Sequence, residues 1–391
     1  MKSARPSGFA DLKIVISKLE KLVKLARIDK IEISGFKSIA NLKLAIKDIN
    51  VLIGGNGSGK SNFIGVFKLL REITEGRLET YVKTSGGADS ILHFGSKHTS
   101  GATFEVHLND SVDQYKISLS PTVEDGLVPI SETAFFWKKA QYLQPYSESI
   151  SGVGAEAGIG SVSSPSVGAN VRSALESWRV YHFHDTGDTS PLKKTSKVDD
   201  NRYFRADGSN LPAFLYLLKT KHKEEYRLIR NTIRRIAPFF DDFVLEPRSL
   251  DEDRIRLEWT HRGTETYFDV SSFSDGTLRF IALTVLLLQP DKYKPSIILL
   301  DEPELGLHPS AITVFGALVR RASQHVQVII STQSPMLLDM FEPDEVVVVE
   351  HDGGASTFER LDNDDLSDWL DEFSLGELWE KNEIGGRPGG R

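Results

Sequence analysis

The stretch "GGNGSGKS", Gly54 to Ser61, constrains the fold of this chain more than any other part of its sequence. It follows the apolar run "INVLI" and precedes a helical pattern that runs to about Arg71. The stretch matches G-x-x-x-x-G-K-[ST], a glycine-rich turn that points backbone N–H groups inward between a strand and a helix. Such a turn binds phosphate groups, and strand-helix-strand units near both ends of the chain predict a parallel α/β core.

The residue types in this loop fit a nucleoside triphosphate, which we take to be ATP, together with Mg²⁺. Lys60 is expected to reach the β and γ phosphates, and the Ser61 hydroxyl to bind Mg²⁺. A purely structural glycine turn is the alternative, whereas a dinucleotide site is excluded because G-x-G-x-x-G is not matched. The expected nucleotide-binding residues are Gly54, Gly55, Asn56, Gly57, Ser58, Gly59, Lys60 and Ser61.

A pair of acids follows a second apolar run, in "SIILLDEPELGLHP". Asp301 and Glu302 come at the carboxyl end of the predicted strand, which is where the sites of parallel α/β sheets lie. Asp301 is predicted to hold the Mg²⁺ shell, and Glu302 to polarise the attacking water. A solvated turn is the alternative. The role of His308 in the same stretch stays open.

Lys60 and Asp301 are about 240 residues apart, far more than one compact βαβ unit requires. The stretch "SSFSDGTLRF" stands just ahead of the Asp-Glu strand, and "STQSP" follows that strand. With these four motifs in this order, the chain resembles the ABC-type ATPase heads of the RecF, SMC and OLD class. It is most similar to the stand-alone "AAA family" predicted ATPases of that class, some of which belong to phage-defence systems.

The resemblance implies that ATP is bound between two copies of the chain. The ABC signature, usually Leu-Ser-Gly-Gly, corresponds to Phe273-Ser274-Asp275-Gly276, and Ser274 and Gly276 would close on the γ phosphate held by the other subunit. A hydroxyl and a glycine N–H at a helix N-terminus suit an anion. Asp275 departs from the family pattern, and its charge must point away from the phosphate. Taken alone, the same residues are an ordinary helix cap.

Gln333, in "VIISTQSPML", corresponds to a position where many family members have a switch histidine and some have glutamine. A glutamine amide can donate to phosphate and accept from water. It cannot become cationic, so the resemblance implies ATP binding with slow turnover. The glutamine of the family's Q-loop cannot be assigned, although Gln141 and Gln144 are candidates.

We therefore predict a P-loop NTPase head of ABC/RecF/SMC type, with a parallel sheet, an antiparallel β subdomain and a compact helical lobe. The chain lacks the sustained heptads of long coiled-coil arms. The predicted organisation is an N-terminal basic amphipathic helix at 1–27, a first head segment with the phosphate loop at 28–140, a flexible Gly/Ser-rich loop and connecting segment at 141–210, a helical lobe with strands at 211–270, a second head segment at 271–350 and an acidic tail at 351–391. A single helix is expected over Leu211 to Ile236.

Composition limits the cellular context. The chain has no cysteine, a formal net charge of −8 and no apolar run near the ~18 to 20 residues that span a bilayer. We expect a cytoplasmic protein without a membrane partner. Arginines and lysines between Lys219 and Arg235 are either a DNA-binding surface or a solvated helix face.

Two local patterns suggest other activities. The run "VVVVEHDGG" resembles the start of a TOPRIM nuclease domain, but few residues follow it, so we expect the last strand of the ATPase sheet. The stretch "YHFHD", with His182, His184 and Asp185, could bind a metal, but alternation along a strand explains it as well.

We accordingly predict an ATPase that dimerises, or forms a higher even oligomer, around ATP. It would act as a nucleotide switch in DNA maintenance or phage defence and control a separate effector such as a nuclease. The alternative is a non-hydrolysing ATP sensor that serves as a scaffold for a protein partner.

Overall fold

A computed structural model describes residues 26–248 and 250–387 of the 391-residue chain. The predicted N-terminal amphipathic helix falls almost entirely outside these residues. The strands are β1 (Ile28–Phe36), β2 (Ile39–Ala45), β3 (Ile49–Ile53), β4 (Ala102–Leu108), β5 (Asp113–Pro121), β6 (Leu127–Phe136), β7 (Tyr146–Ser149), β8 (Arg179–Tyr181), β9 (Ser196–Lys197), β10 (Phe240–Val244), β11 (Pro247–Arg248), β12 (Asp251–Ile255), β13 (Glu258–His261), β14 (Tyr267–Asp269), β15 (Ile297–Asp301), β16 (Gln327–Thr332), β17 (Val346–Asp352) and β18 (Ala355–Arg360). The α-helices are α1 (Lys60–Thr74), α2 (Leu78–Thr84), α3 (Val167–Glu176), α4 (Leu211–Lys221), α5 (Lys223–Ile236), α6 (Asp275–Leu288), α7 (Pro309–Ser323), α8 (Pro335–Leu338), α9 (Asn363–Leu370) and α10 (Leu375–Glu380).

The central sheet has the strand order β18-β17-β3-β16-β15-β8. Strands β17, β3, β16, β15 and β8 are parallel, and β18 pairs antiparallel with β17 at one edge. The near-continuous apolar runs of β3, β15 and β16 are buried because helices and a second sheet cover both faces. The parallel core built from distant segments is therefore confirmed. "VVVVEHDGG" forms a strand of this sheet, but β18 follows it, so it is not the last strand.

The second sheet is antiparallel, in the order β2-β1-β4-β5-β6-β7. Burial alternates along β4, as expected for a sheet with one face in the core. Side chains from the two faces of the central sheet enter two separate cores. Leu52, Leu299 and Ile329 pack with the antiparallel sheet and α1, whereas Val51, Leu300 and Ile330 pack with α6, α7 and the helical lobe.

The helical lobe differs from the prediction of one helix over 211–236. Helices α4 and α5 are separated at His222, which has φ −134° and ψ 60°. The His222 ring packs edge-on against Tyr293, with 5.4 Å between ring centroids, and that tertiary contact is not visible in the local sequence pattern. On α5, Arg230 and Arg234 pair with Asp242 and Asp241, which favours a solvated, charge-balanced helix face.

The segment 141–210 contains regular elements in addition to its Gly/Ser-rich stretch. It contains α3 and the edge strand β8, which pairs in parallel with β15. Strand β8 ends at Tyr181, so His182, His184 and Asp185 follow the strand instead of alternating along it. Among the described residues, no helix is long and apolar enough to cross a membrane.

Candidate nucleotide-binding site

The phosphate loop joins β3 to α1 at the carboxyl end of the central sheet. Two positions of the loop require glycine because neighbouring atoms leave no room for a side chain. A Cβ on Gly54 would lie 2.2 Å from the Val349 carbonyl oxygen, and a Cβ on Gly59 would lie 2.1 Å from the Ser356 hydroxyl. Gly59 also has φ +115°, a conformation that favours glycine. The Ser356 hydroxyl donates to the Ser58 carbonyl at 2.6 Å, so the neighbouring strands β17 and β18 support the loop.

Lys60 is only 5% exposed at the start of α1. Its Nζ donates to the Gly54 carbonyl at 2.6 Å and to the Gly55 carbonyl at 3.0 Å. Burial lowers the pKa of Lys60, and the charges of Glu302 and Asp301 oppose that shift. The ammonium group therefore lies within the loop and within electrostatic reach of the acidic end of β15.

Ser61 and Asp301 meet at the same edge of the sheet. The Ser61 hydroxyl donates to Asp301 Oδ2 at 3.4 Å, and the Ser331 hydroxyl donates to Asp301 Oδ1. Parallel pairing places Asp301 directly opposite Ser331, which explains the second contact. A hydroxyl and a carboxylate in this arrangement are the oxygen ligands that Mg²⁺ prefers.

Gln333 connects the phosphate loop to the acids. Its Nε2 donates to Asn56 Oδ1 at 2.8 Å and also to the Glu302 carboxylate. Glu302 has φ +42°, a left-handed conformation that is uncommon for a residue with a side chain. Its N–H donates to the Ser331 carbonyl at 2.9 Å, which holds the acid at the end of β15. Such local strain is frequent at functional sites.

Glu304 is a site residue that our sequence reasoning missed. It is 7% exposed; its Oε1 accepts from the Thr332 hydroxyl at 2.5 Å and from the Gln333 N–H at 3.3 Å. Burial is the main cause of its raised pKa. The signal in the sequence was a third acid in "DEPELG", close to the predicted catalytic pair. Its contacts position the backbone of Gln333.

The signature loop lies at the start of α6. Ser274 is the helix N-cap: its Oγ accepts from the Thr277 N–H at 3.3 Å, and the two hydroxyls are 2.8 Å apart. Ser274 and Asp275 are exposed. A Cβ on Gly276 would lie 2.2 Å from the Gly306 carbonyl oxygen, so this loop packs on the segment that follows Glu302. Among the described residues, no hydrogen bond joins the signature loop to the phosphate loop.

The remaining candidates are His308, the two Q-loop glutamines and His182. His308 is the N-cap of α7, and its Nδ1 accepts from the Ser310 N–H at 3.3 Å, which is a structural role. Gln141 and Gln144 are exposed between β6 and β7. His182 directly follows the end of β8. Strand β8 pairs in parallel with β15, and continuing this register places His182 next to Asp301. Burial lowers the pKa of His182, and the charge of Asp301 opposes the shift.

Comparisons with known proteins agree with this geometry. The family model described as "AAA domain, putative AbiEii toxin, Type IV TA system" matches residues 49–339. The Old nuclease of Escherichia phage P2 is 22% identical over 353 residues, which cover 80% of this chain and 57% of that relative. The chain thus spans less than two thirds of that nuclease.

Solved structures show the same fold at low sequence identity. An SMC head bound to the C-winged helix domain of ScpA has a TM-score of 0.58 at 17% identity, covering 87% of this chain and 99% of the other. An SMC head with an extended coiled coil, bound to the C-terminal domain of ScpA derived from Pyrococcus furiosus, has a TM-score of 0.56 at 13% identity, covering 89% and 99%. The predicted SMC-head type of P-loop fold is confirmed.

Proposed function

The chain belongs to the ATPase family described as "AAA domain, putative AbiEii toxin, Type IV TA system", and we propose that it binds and slowly hydrolyses ATP as a dimeric nucleotide switch. The observation that carries the proposal is the contact of the Gln333 amide with both Asn56 of the phosphate loop and the Glu302 carboxylate. One side chain thereby links the loop that would hold the phosphates to the acid that would activate water.

The residues present fit a triphosphate and Mg²⁺. The loop places a lysine, a helix N-terminus and the buried Ser58 hydroxyl together, and that hydroxyl has no hydrogen-bond partner among the described residues. Ser61 and Asp301 would hold Mg²⁺, which when bound neutralises charge on phosphate oxygens. Lys60 would exchange the carbonyls of Gly54 and Gly55 for phosphate oxygens, a gain in charge-assisted hydrogen bonding.

Hydrolysis requires a base close to the terminal phosphate. Glu302 accepts the proton of the attacking water at its carboxylate, and Gln333 orients that carboxylate by donating to it. Glu304 keeps the Gln333 backbone in position through Oε1. Because the Gln333 amide stays neutral, it stabilises the charge that develops in the transition state less well than an imidazolium would. Slow turnover, under ~1 s⁻¹, follows from that difference.

A second copy of the chain would complete the site. Ser274 and Asp275 face solvent, and the N–H groups at the start of α6 are oriented outward from a helix of 14 residues. An exposed helix N-terminus with a hydroxyl suits the γ phosphate held by a partner copy. Two identical sites would then be shared across a two-fold interface.

The output of the switch is proposed from the relatives. One relative is a nuclease of a phage, and a solved neighbour is an SMC head bound to a domain of ScpA. We infer that ATP-dependent dimerisation controls a separate effector, such as a nuclease, in DNA maintenance or phage defence. DNA is a possible further partner, and the turnover rate with and without DNA tests it.

Mixing two inactive variants tests the shared site. Lys60→Ala removes the phosphate contact, and Ser274→Asp keeps the helix cap but places a negative charge against the γ phosphate. Each variant alone should be inactive. In an equal mixture, half of the dimers contain one intact composite site, so activity should return to about a quarter of wild type. Ser274→Asn, which keeps a neutral cap, is the matched control.

The outcomes separate the alternatives. A mixture no more active than its components would contradict the exchange of signature loops between copies. Wild-type protein that binds ATP and dimerises without turnover would instead support the non-hydrolysing sensor that scaffolds a protein partner.

A further inference from the structure

The segment 374–387 reaches back from the acidic tail to the phosphate loop. The Gly55 N–H donates to the Gly386 carbonyl at 2.7 Å, and the Gly386 N–H donates to Glu350 Oε1 at 2.7 Å. Glu350 lies on β17, next to the strand that leads into the loop. Gly386 therefore bridges the central sheet and the first turn of the phosphate loop.

The bridge requires a glycine. Gly386 has φ +81°, and a Cβ at this position would lie 3.0 Å from Val348 Cγ1 and 3.5 Å from Gly54 Cα. Both the backbone conformation and the close approach to the loop disfavour any side chain. A substitution here would push directly on the loop or move the segment away from it.

The other end of the segment is fixed next to α8, the short helix that follows Gln333. Helix α10 begins with a capping box of Ser374 and Glu377, and its Gly376 N–H donates to Asp339 Oδ1 at 2.6 Å. Asp339 follows α8, the short helix directly after Gln333. Leu378 and Trp379 are buried at 0% and 8% exposure, so α10 is anchored in the core. The segment thus runs from the helix that follows Gln333 to the phosphate loop.

We propose that residues 374–387 form a positioning strap that holds the phosphate loop in its binding conformation through Gly386 and Glu350. The strap sets ATP affinity and not the chemical step, because its contact with the site is to the Gly55 backbone, and none of its described hydrogen bonds is to Glu302 or Gln333. This inference rests on the proposed function of the loop as an ATP site.

The variant Gly386→Ala tests the strap, and Gly263→Ala is its matched control. Gly263 has φ +80°, nearly the same backbone conformation, but a Cβ there would meet no atom within 4 Å. Both variants therefore introduce similar backbone strain, but only Gly386→Ala disturbs the phosphate loop. We expect Gly386→Ala to weaken ATP binding by about tenfold, with kcat at saturating ATP within about twofold of wild type. Gly263→Ala should match wild type in both.

Glu350 supplies a second, independent test. Glu350→Ala removes the acceptor of the Gly386 N–H and should weaken ATP binding by about fivefold, whereas Glu350→Gln retains an acceptor oxygen and should restore affinity. If Gly386→Ala does not fold, the two Glu350 variants by themselves test the strap. Unchanged affinity in Gly386→Ala or Glu350→Ala, or a loss confined to kcat, would overturn the strap. Wild-type protein that fails to bind ATP in calorimetry would overturn the proposed function instead.

Discussion

The phosphate-loop edge and the signature loop carry complementary halves of the site but differ in how the chain supports them. At the phosphate-loop edge, hydrogen bonds join three segments, from Asn56 through Gln333 to Glu302 and from Ser61 to Asp301. In the signature loop, the Ser274 side chain hydrogen-bonds only to Thr277 among the described residues. The first region is assembled within one chain, whereas the second presents its groups outward.

The start of α6 nevertheless contacts segments of its own chain close to the acidic end of β15. Gly276 packs against Gly306, and Arg279 of α6 donates through its guanidinium to the carbonyls of Phe183 and His184, beyond the end of β8. We therefore expect changes at the phosphate-loop edge to alter ATP binding or hydrolysis, and changes of the exposed Ser274 side chain to alter mainly the dimer.

The largest effect is expected for Glu302→Gln. The amide cannot accept a proton from water, so kcat should fall by about a thousandfold while ATP affinity is retained. Light scattering should show an ATP-dependent dimer that persists, because binding survives without turnover. Undiminished turnover would remove Glu302 from the proposed role, and a mass that never responds to ATP, in a protein that is not already dimeric, would contradict the arrangement.

Lys60→Ala should reduce ATP affinity by about a hundredfold, because charge-assisted contacts to phosphate are lost. The described hydrogen bonds of Lys60 Nζ are to loop carbonyls and not to the core, so the thermal unfolding midpoint should change little. Isothermal titration calorimetry and thermal unfolding measure the two quantities. Wild-type affinity in this variant would refute the assignment of the loop.

Ser274→Asp should weaken the ATP-dependent dimer by at least about tenfold and leave the ATP affinity of the monomer unchanged. Because aspartate is also a good N-cap residue, the stability of α6 should be the same in the variant and in wild type. Sedimentation velocity in the Glu302→Gln background measures dimerisation, with Ser274→Asn as the control. Loss of monomer affinity would mean that the signature loop acts within its own chain and not on the ATP of a partner copy.

Gln333→Ala should lower kcat by about tenfold with little loss of ATP affinity, because the loop supplies most of the binding. Gln333→His should hold or raise kcat, since imidazole can share positive charge with the transition state. Single-turnover kinetics on the three proteins compares the chemical step directly. If Gln333→Ala hydrolyses ATP at the wild-type rate, the side chain only packs between Asn56 and Glu302.

The smallest effect concerns Glu304. Burial raises its pKa, so its favourable contribution to stability is complete at low pH and is lost as pH rises through the raised pKa. Glu304→Gln has no charge to bury, and its stability relative to wild type should therefore increase from acidic to neutral pH. Urea unfolding across that range measures the difference. A constant difference would show that Glu304 does not titrate there.

Sequence patterns predicted those features that depend only on residues close together in the chain. A glycine-rich turn after "INVLI" and an acid pair after "SIILL" are both set by backbone geometry within a few residues. The α/β core and the meeting of Ser61 with Asp301 followed from these patterns. The same patterns could not place a Q-loop residue, and the two candidates, Gln141 and Gln144, are exposed between β6 and β7.

The sequence by itself determined the parallel α/β core, the position of the phosphate loop and the order of the four motifs. Tertiary structure alone decided that the helix over 211–236 breaks at His222, that Glu304 is buried beneath Gln333, and that Gly386 reaches Gly55. Each of these depends on contacts between residues far apart in the chain. Local propensity carries no information about such contacts, since the energy that stabilises them exists only after the sheet has formed.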